Sequence, residues 1–281
     1  MQLCIFNPEH DLCLASGRAH YLPPRSAREF ALRDAQAVMG TLYPAALCCS
    51  AYSLPPAEML RDCTAVVPWG WNIALKHQLL KAGLPQRLLP SDAFLEELRR
   101  LQHRSTVLPL QPDCRAIYSP EEAEALLQGQ PHWVLKAPWS GAGRGLRWIH
   151  GALTAIDRHW IAKTVTTQRC VIAEPRREVV ADLALEYMGS RFIGYSLFRT
   201  GSGVYKENIL WPDSRIAAAF PALEAMRGRV EAWLAANITP RYTGPLGVDL
   251  MACADGSLCV AEINLRHTMG MVAHCKVEER S

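Results

Sequence analysis

The sequence has little net charge and no concentration of it. Thirty Lys and Arg residues stand against 27 Asp and Glu, a formal net charge of +3 over 281 residues. No dense basic run with interleaved aromatics occurs, which argues against a nucleic-acid partner. Nowhere is there an unbroken apolar run of the about 18 residues that a membrane span needs. The first residues lack a basic n-region and meet Pro8, Glu9 and Asp11 early. They are expected to form a strand and a loop, not a secretion leader. Ten cysteines are present, yet none forms a C-x-x-C pair, and no Cys/His set has the spacing of a zinc site. Reduced cytoplasmic thiols packing as small hydrophobes are the plain expectation. Two familiar phosphate motifs are missing as well. There is no GxxxxGK[ST] loop, and Gly141, Gly143 and Gly145 have the wrong spacing for GxGxxG and precede a strand. Neither a repeat nor a low-complexity segment occurs.

What remains is an ordinary enzyme-like composition, 49% hydrophobic and 20% charged, long enough for one large domain or a few compact ones. In the first hundred residues strand and helix alternate. Residues 3–6 and 63–67 read as short buried strands. Residues 25–39 carry apolar side chains at helical spacing, and 73–82 form a helix ending at Gly83. Ser91 is the expected N-cap of a helix running through Arg104. This alternation predicts a small parallel sheet. From about Pro109 the pattern changes. Ser119 and Glu122 have capping-box spacing ahead of a short helix. Strands are expected at 132–137, 146–150, 170–173, 179–188, 191–198, 243–252 and 258–263, with helices at 152–164 and 216–235. The fold class is therefore α/β at the start and α+β in the second half.

Two stretches carry chemistry. The first runs from Trp133 to Trp148: a buried strand delivers Lys136, a loop of small residues follows, and a second strand returns. Glycines let backbone N–H groups approach phosphate oxygens, and a fixed ammonium beside them neutralises charge. A surface lysine on a Gly-rich hairpin is the alternative, though a charge in an otherwise apolar strand is costly without a partner. The second stretch pairs Gly247 to Met251 with Ala261 to Arg266 across the turn at Asp255-Gly256. In an antiparallel hairpin Asp249 and Glu262 face each other, and Asn264, two residues after Glu262, shares its face. Two carboxylates and an amide oxygen among apolar neighbours suit a hard cation such as Mg2+. A merely polar hairpin face is the alternative.

A lysine-bearing strand with a Gly-rich hairpin, an acidic hinge and a terminal D…ExN set resemble the ATP-grasp superfamily, over about residues 101–271. The resemblance implies a small N-terminal α/β domain (1–104) before an ATP-grasp unit (105–281) with subdomains of about 105–174 and 175–281. It implies that ATP is bound with Mg2+, Lys136 and Arg104 contacting phosphates and Ser140 to Gly145 (with Gly141, Gly143 and Arg144) forming a closing loop. Ile172 and Glu174 would lie on the hinge that receives adenine. Asp182, or Glu178 close by, would meet the ribose. Asp249, Glu262 and Asn264 would hold two magnesium ions, and Lys206 with Asn208 would reach the γ-phosphate.

The activity so implied is a ligase. ATP activates a small-molecule carboxylate as an acyl phosphate, which an amine or another nucleophile attacks. A kinase acting on a hydroxyl and a non-catalytic nucleotide binder are the alternatives. Arg266 suits a carboxylate by its bidentate geometry; Arg144 adds a cation on loop closure. His267 is either a base or a packed structural ring. Asn7 to Asp11 and Pro68 to Trp71 follow strands, where ligands sit in open α/β sheets; His10, Asp11, Trp69 and Trp71 therefore either wall the acceptor pocket or simply pack. The expected partners are the small-molecule carboxylate and amine, with no nucleic acid and no membrane, and a homodimer is admitted. The chain stops soon after the metal strand, and no additional domain is expected.

Overall fold

The computed structural model describes residues 1–128, 132–141, 145–201 and 204–278. The first unit is a three-stranded parallel sheet, order β2-β1-β3, built from β1 (Gln2–Phe6), β2 (Leu47–Ser50) and β3 (Ala65–Pro68). Between and after these strands lie α1 (His10–Ser16), α2 (Arg25–Leu42), α3 (Ala57–Arg61), α4 (Ile73–Ala82) and α5 (Asp92–Leu101). The sheet is buried on both sides, as parallel sheets are. Leu3 and Ile5 pack with Leu75 and Leu79 of α4, whereas Cys4 and Phe6 pack with Ala31, Ala35 and Met39 of α2.

Two antiparallel sheets follow. The four-stranded one, order β4-β7-β5-β6, contains β4 (Arg115–Ile117), β5 (His132–Lys136), β6 (Leu146–His150) and β7 (Val171–Pro175), backed by α6 (Pro120–Leu127) and α7 (Ala155–Gln168). The five-stranded one, order β10-β9-β8-β11-β12, contains β8 (Val179–Met188), β9 (Arg191–Gly201), β10 (Val204–Ile209), β11 (Pro245–Cys253) and β12 (Leu258–Asn264). Helices α8 (Asp213–Ala219) and α9 (Leu223–Asn237) pack on it, and α10 (Met269–Glu278) closes the chain. Hydrophobic clusters run across residue 104. Leu98 and Leu101 of α5 enter the core under the five-stranded sheet, and Val272 of α10 packs beside Phe6 and Trp69. Among the described residues no helix is long and apolar enough to cross a membrane.

The expected class holds, a small parallel sheet followed by mixed α+β, and several elements differ in detail. The helix after Ser91 stops at Leu101, and a 3₁₀ stretch, Arg104–Leu110, takes over where Pro109 follows. The helix expected over 216–235 is two helices, because Phe220 precedes Pro221 and proline disfavours the helical conformation in the residue before it. Ser119 caps α6, but Glu122 reaches the N–H of Tyr118 and not that of Ser119, so the capping box is incomplete; the complete one joins Thr154 and Asp157 in α7. Helix α1, β2, β4, β10 and α10 carry too few periodic residues to announce themselves, and tertiary pairing supplies what local pattern does not.

Candidate active site

All three sheets face one cleft of about 460 Å³. Lys136 ends β5, and its Nζ lies 2.8 Å from Glu174 Oε1 on β7, with both side chains nearly buried. The apolar strand therefore delivers its lysine to a partner, as the cost of burying a lone charge requires. Ala137 N–H donates to the carbonyl of Gly145 at 2.8 Å and closes the base of the loop between β5 and β6. Gly145 has φ +76, and a Cβ there would stand 2.9 Å from that of Ser140, so only glycine fits this return. Gly143 and Arg144 lie outside the described residues. Ser140 and Gly141 line the cleft.

Arg104 ties the loop to the acidic hairpin. Its Nη1 donates to Ala137 O at 2.6 Å and to Ser140 Oγ at 2.5 Å, while its Nη2 pairs with Glu262 Oε2. Across the ladder Asp249 faces Glu262 in register, with a bulge immediately after Asp249, where bulges re-aim side chains. Asn264 Nδ2 donates to Asp249 Oδ2 at 3.1 Å. Burial, then the neighbouring Glu262 carboxylate, pushes Asp249 well above the usual carboxylate range. Arg104 pairs with Glu262, Asp249 has no ion-pair partner among the described residues, and the oxygens of both suit magnesium. Among the described residues no group of three His, Cys, Asp or Glu side chains is placed to hold a metal; the candidate set is two carboxylates and one amide.

Arg266 follows β12 and lies in the cleft wall, but its guanidinium is engaged. Nε and Nη2 donate to the two oxygens of Asp11 at 3.2 and 2.9 Å, and Nη2 also reaches Asn264 Oδ1 at 2.8 Å. Burial alone would raise the Asp11 carboxyl, yet Arg266 and His10 hold it below its ordinary value. Asp11 and Trp69 line the cleft, whereas Trp71 packs into two hydrophobic clusters. His10 is fully buried between Asn72 Nδ2 at 3.2 Å and Gln102 Oε1 at 3.3 Å, and burial lowers its pKa to about 4. His267 sits against the carbonyls of Pro68 and Trp69 and the hydroxyl of Tyr43, 2.7 Å from Nε2, and burial lowers it to about 4 as well. Both histidines are structural in this arrangement.

Of the remaining expected residues, Asp182 faces the cleft and accepts from Thr200 Oγ1 at 2.7 Å, whereas Glu178 is exposed and outside it. Ile172 does not line the cleft: it is buried in the middle of its sheet between Lys136 and Ala116. Lys206 is not brought to the cleft either. It is exposed and folds over Gly201, while Tyr205 and Asn208, which flank a register shift in β10, line the wall. Sequence reasoning missed Glu186, Ser196 and Trp148, which line the cleft. Glu186, an acid inside the apolar run of β8, was the one visible signal among them.

No known family profile matches the sequence, and no curated protein matches it. Solved structures do. D-cycloserine synthetase DcsG aligns over 100% of both chains with a TM-score of 0.56 at 14% identity. N5-carboxyaminoimidazole synthetase from Staphylococcus aureus, complexed with ADP, aligns over 95% of this chain and 70% of its own with a TM-score of 0.55 at 14% identity. Biotin carboxylase from Campylobacter jejuni aligns over 99% of this chain and 70% of its own, with a TM-score of 0.52 at 15% identity. These enzymes have the ATP-grasp fold, and this chain, with three sheets facing one cleft, has that fold. At these identities the likeness is one of architecture.

Proposed function

We propose that the protein is an ATP- and magnesium-dependent ligase that activates a small-molecule carboxylate. The observation that carries this reading is the convergence in one cleft of Lys136 with Glu174, Arg104 with the loop, and the Asp249–Glu262–Asn264 face. The likeness to synthetases, one of them complexed with ADP, supports it. In this reading Lys136 and Arg104 receive phosphate oxygens, Asp182 the ribose hydroxyls and Glu174 the hinge side of the base. Asp249, Glu262 and Asn264 hold magnesium, which when bound neutralises charge on the phosphates. Arg104, paired with Glu262 here, would exchange that carboxylate for a phosphate oxygen on nucleotide binding, leaving Glu262 available with Asp249 and Asn264 to hold a cation. A carboxylate oxygen of the substrate attacks the γ-phosphorus and the bond to the β-phosphate oxygen breaks, so ADP leaves. An amine then forms the bond to the acyl carbon; inorganic phosphate departs and the nitrogen gives up a proton.

Isothermal titration with a non-hydrolysable ATP analogue, with and without magnesium, tests the nucleotide site. Magnesium-dependent binding is expected, weakened at least tenfold in Lys136→Ala, which is about 1.4 kcal/mol. Glu262→Ala is expected to abolish ADP release while retaining some nucleotide binding. Absence of binding at millimolar analogue would overturn the reading, and ATP consumption that requires an alcohol and no amine would make the protein a kinase.

A further inference from the structure

Six carboxylates and three cations line the described wall of the cleft. The proposed nucleotide and metal sites employ Glu174, Asp182, Asp249 and Glu262, and Asp11 is spent on Arg266. Glu186 is left over. It lies mid-strand in β8, is 1% exposed, and forms part of the cleft floor. Its cross-strand neighbours are both glycines, Gly247 on β11 and Gly194 on β9. A Cβ on Gly247 would stand 3.0 Å from Oε2, and a Cβ on Gly270 would overlap Oε1. The backbone therefore leaves a recess at the start of α10 that this carboxylate fills.

Its partners there are hydroxyls. Ser196 Oγ donates to Oε1 at 2.9 Å and Thr268 Oγ1 donates to Oε2 at 2.7 Å. Among the described residues no Lys, Arg or His forms an ion pair with it. Each oxygen keeps an unused lone pair. Burial pushes this carboxyl up to about 7, against the two hydroxyl donors and the Arg266 charge, which forms no ion pair with it. ATP with two magnesium ions carries no net charge, so filling the nucleotide site leaves the described wall as acidic as before. Phe6, Trp69 and Tyr205 also line the cleft, and aromatic faces favour a cation.

We propose that Glu186 recognises the acceptor, and that the acceptor presents an ammonium group to it. This rests on the ligase reading and names the acceptor class: a compound carrying a primary amine, in preference to an alcohol. The recognition is a charge-assisted hydrogen bond in a dry recess, the setting in which removing the charge costs most.

The test uses the intact chain with magnesium and the ATP analogue, titrated with alaninamide and ethylamine and with their hydroxyl isosteres lactamide and ethanol. The amines are expected to bind at least tenfold more tightly than the isosteres. Glu186→Gln keeps shape and hydrogen bonding, and is expected to erase that preference while leaving analogue affinity within about twofold, a factor too small to register as a lost contact. Glu186→Asp is expected to restore part of the preference, and its analogue binding and circular dichroism report whether the recess still folds. Equal binding of amines and isosteres, or an amine preference that survives in Glu186→Gln, would overturn the proposal with the nucleotide site intact. Amine preference without any analogue binding would instead sink the ligase reading and leave the amine site standing.

Discussion

Single side chains in the cleft are held in cross-element pairs: Lys136 with Glu174, Arg104 with Glu262, and Arg266 with Asp11. The third pair differs from the others, because it joins α1 of the parallel unit to the end of β12 through two parallel hydrogen bonds. Removing one partner of a desolvated, bidentate pair leaves the other charge stranded. Asp11→Asn is therefore expected to lower the stability of the whole chain by about 2–4 kcal/mol, read as a shift in the urea midpoint with unchanged slope. A change below about 0.5 kcal/mol, the range of an exposed pair, would show that the pair is solvated. Lys206 teaches the complementary point. A lysine two residues from a cleft-facing asparagine is expected beside it, and the register shift after Tyr205 breaks that inference.

Elements place these side chains, and their ends matter more than their middles. Asn72 caps α4 by accepting from the N–H of Leu75 at 2.9 Å, and its amide donates to His10 Nδ1. His10 in turn meets Gln102 Oε1, which also accepts from the N–H of Leu265. One cap residue thus starts a chain of hydrogen bonds from α4 through α1 to the end of the acidic hairpin. Asn72→Ala loses both the cap and the donor to a buried ring. The expected cost is about 1–3 kcal/mol, measured by thermal unfolding; Asn72→Asp, which keeps the cap, should cost less. An equal loss in the two variants would mean that the cap contributes little. Capping and alternation were readable beforehand at α4, where residues 73–82 and Gly83 were expected and found, and at β8, expected and found at Val179–Met188. They were not readable at β2, β4 and β10, short strands that exist because a neighbour pairs with them.

Over the whole molecule, two buried histidines couple folding to pH. His10 and His267 have folded pKa values of about 4, below their ordinary 6.5, chiefly through burial. Between these values the unfolded chain binds more protons than the folded one, so the histidine contribution is present above pH 6.5 and is lost as pH falls toward 4. Glu9, Glu186 and Asp249, raised by burial, act with the opposite sign. The difference between wild type and His267→Asn isolates the effect. Wild type is expected to lose stability relative to the variant as pH drops from 6.5 to 4.5, by urea unfolding. A constant difference across that range would show that the ring titrates alike in both states.

The sequence by itself determined the class of fold, the strand that carries Lys136, and the cross-strand pairing of Asp249 with Glu262, with Asn264 on the face of Glu262. These follow from local periods: alternation along strands, glycines at a hairpin, a turn that sets register. Tertiary structure alone decided which charges meet. The partners of Arg104 and Arg266 are 158 and 255 residues away, a separation at which no spacing rule operates. It likewise decided that Glu178 faces out while Asp182 faces in, that Ile172 is covered, and that Glu186 sits in a recess between glycines of two other strands and a helix. A carboxylate's environment is made by whatever the fold brings beside it, and here distant backbone segments bring room, two hydroxyls and, among the described residues, no ion-pair partner.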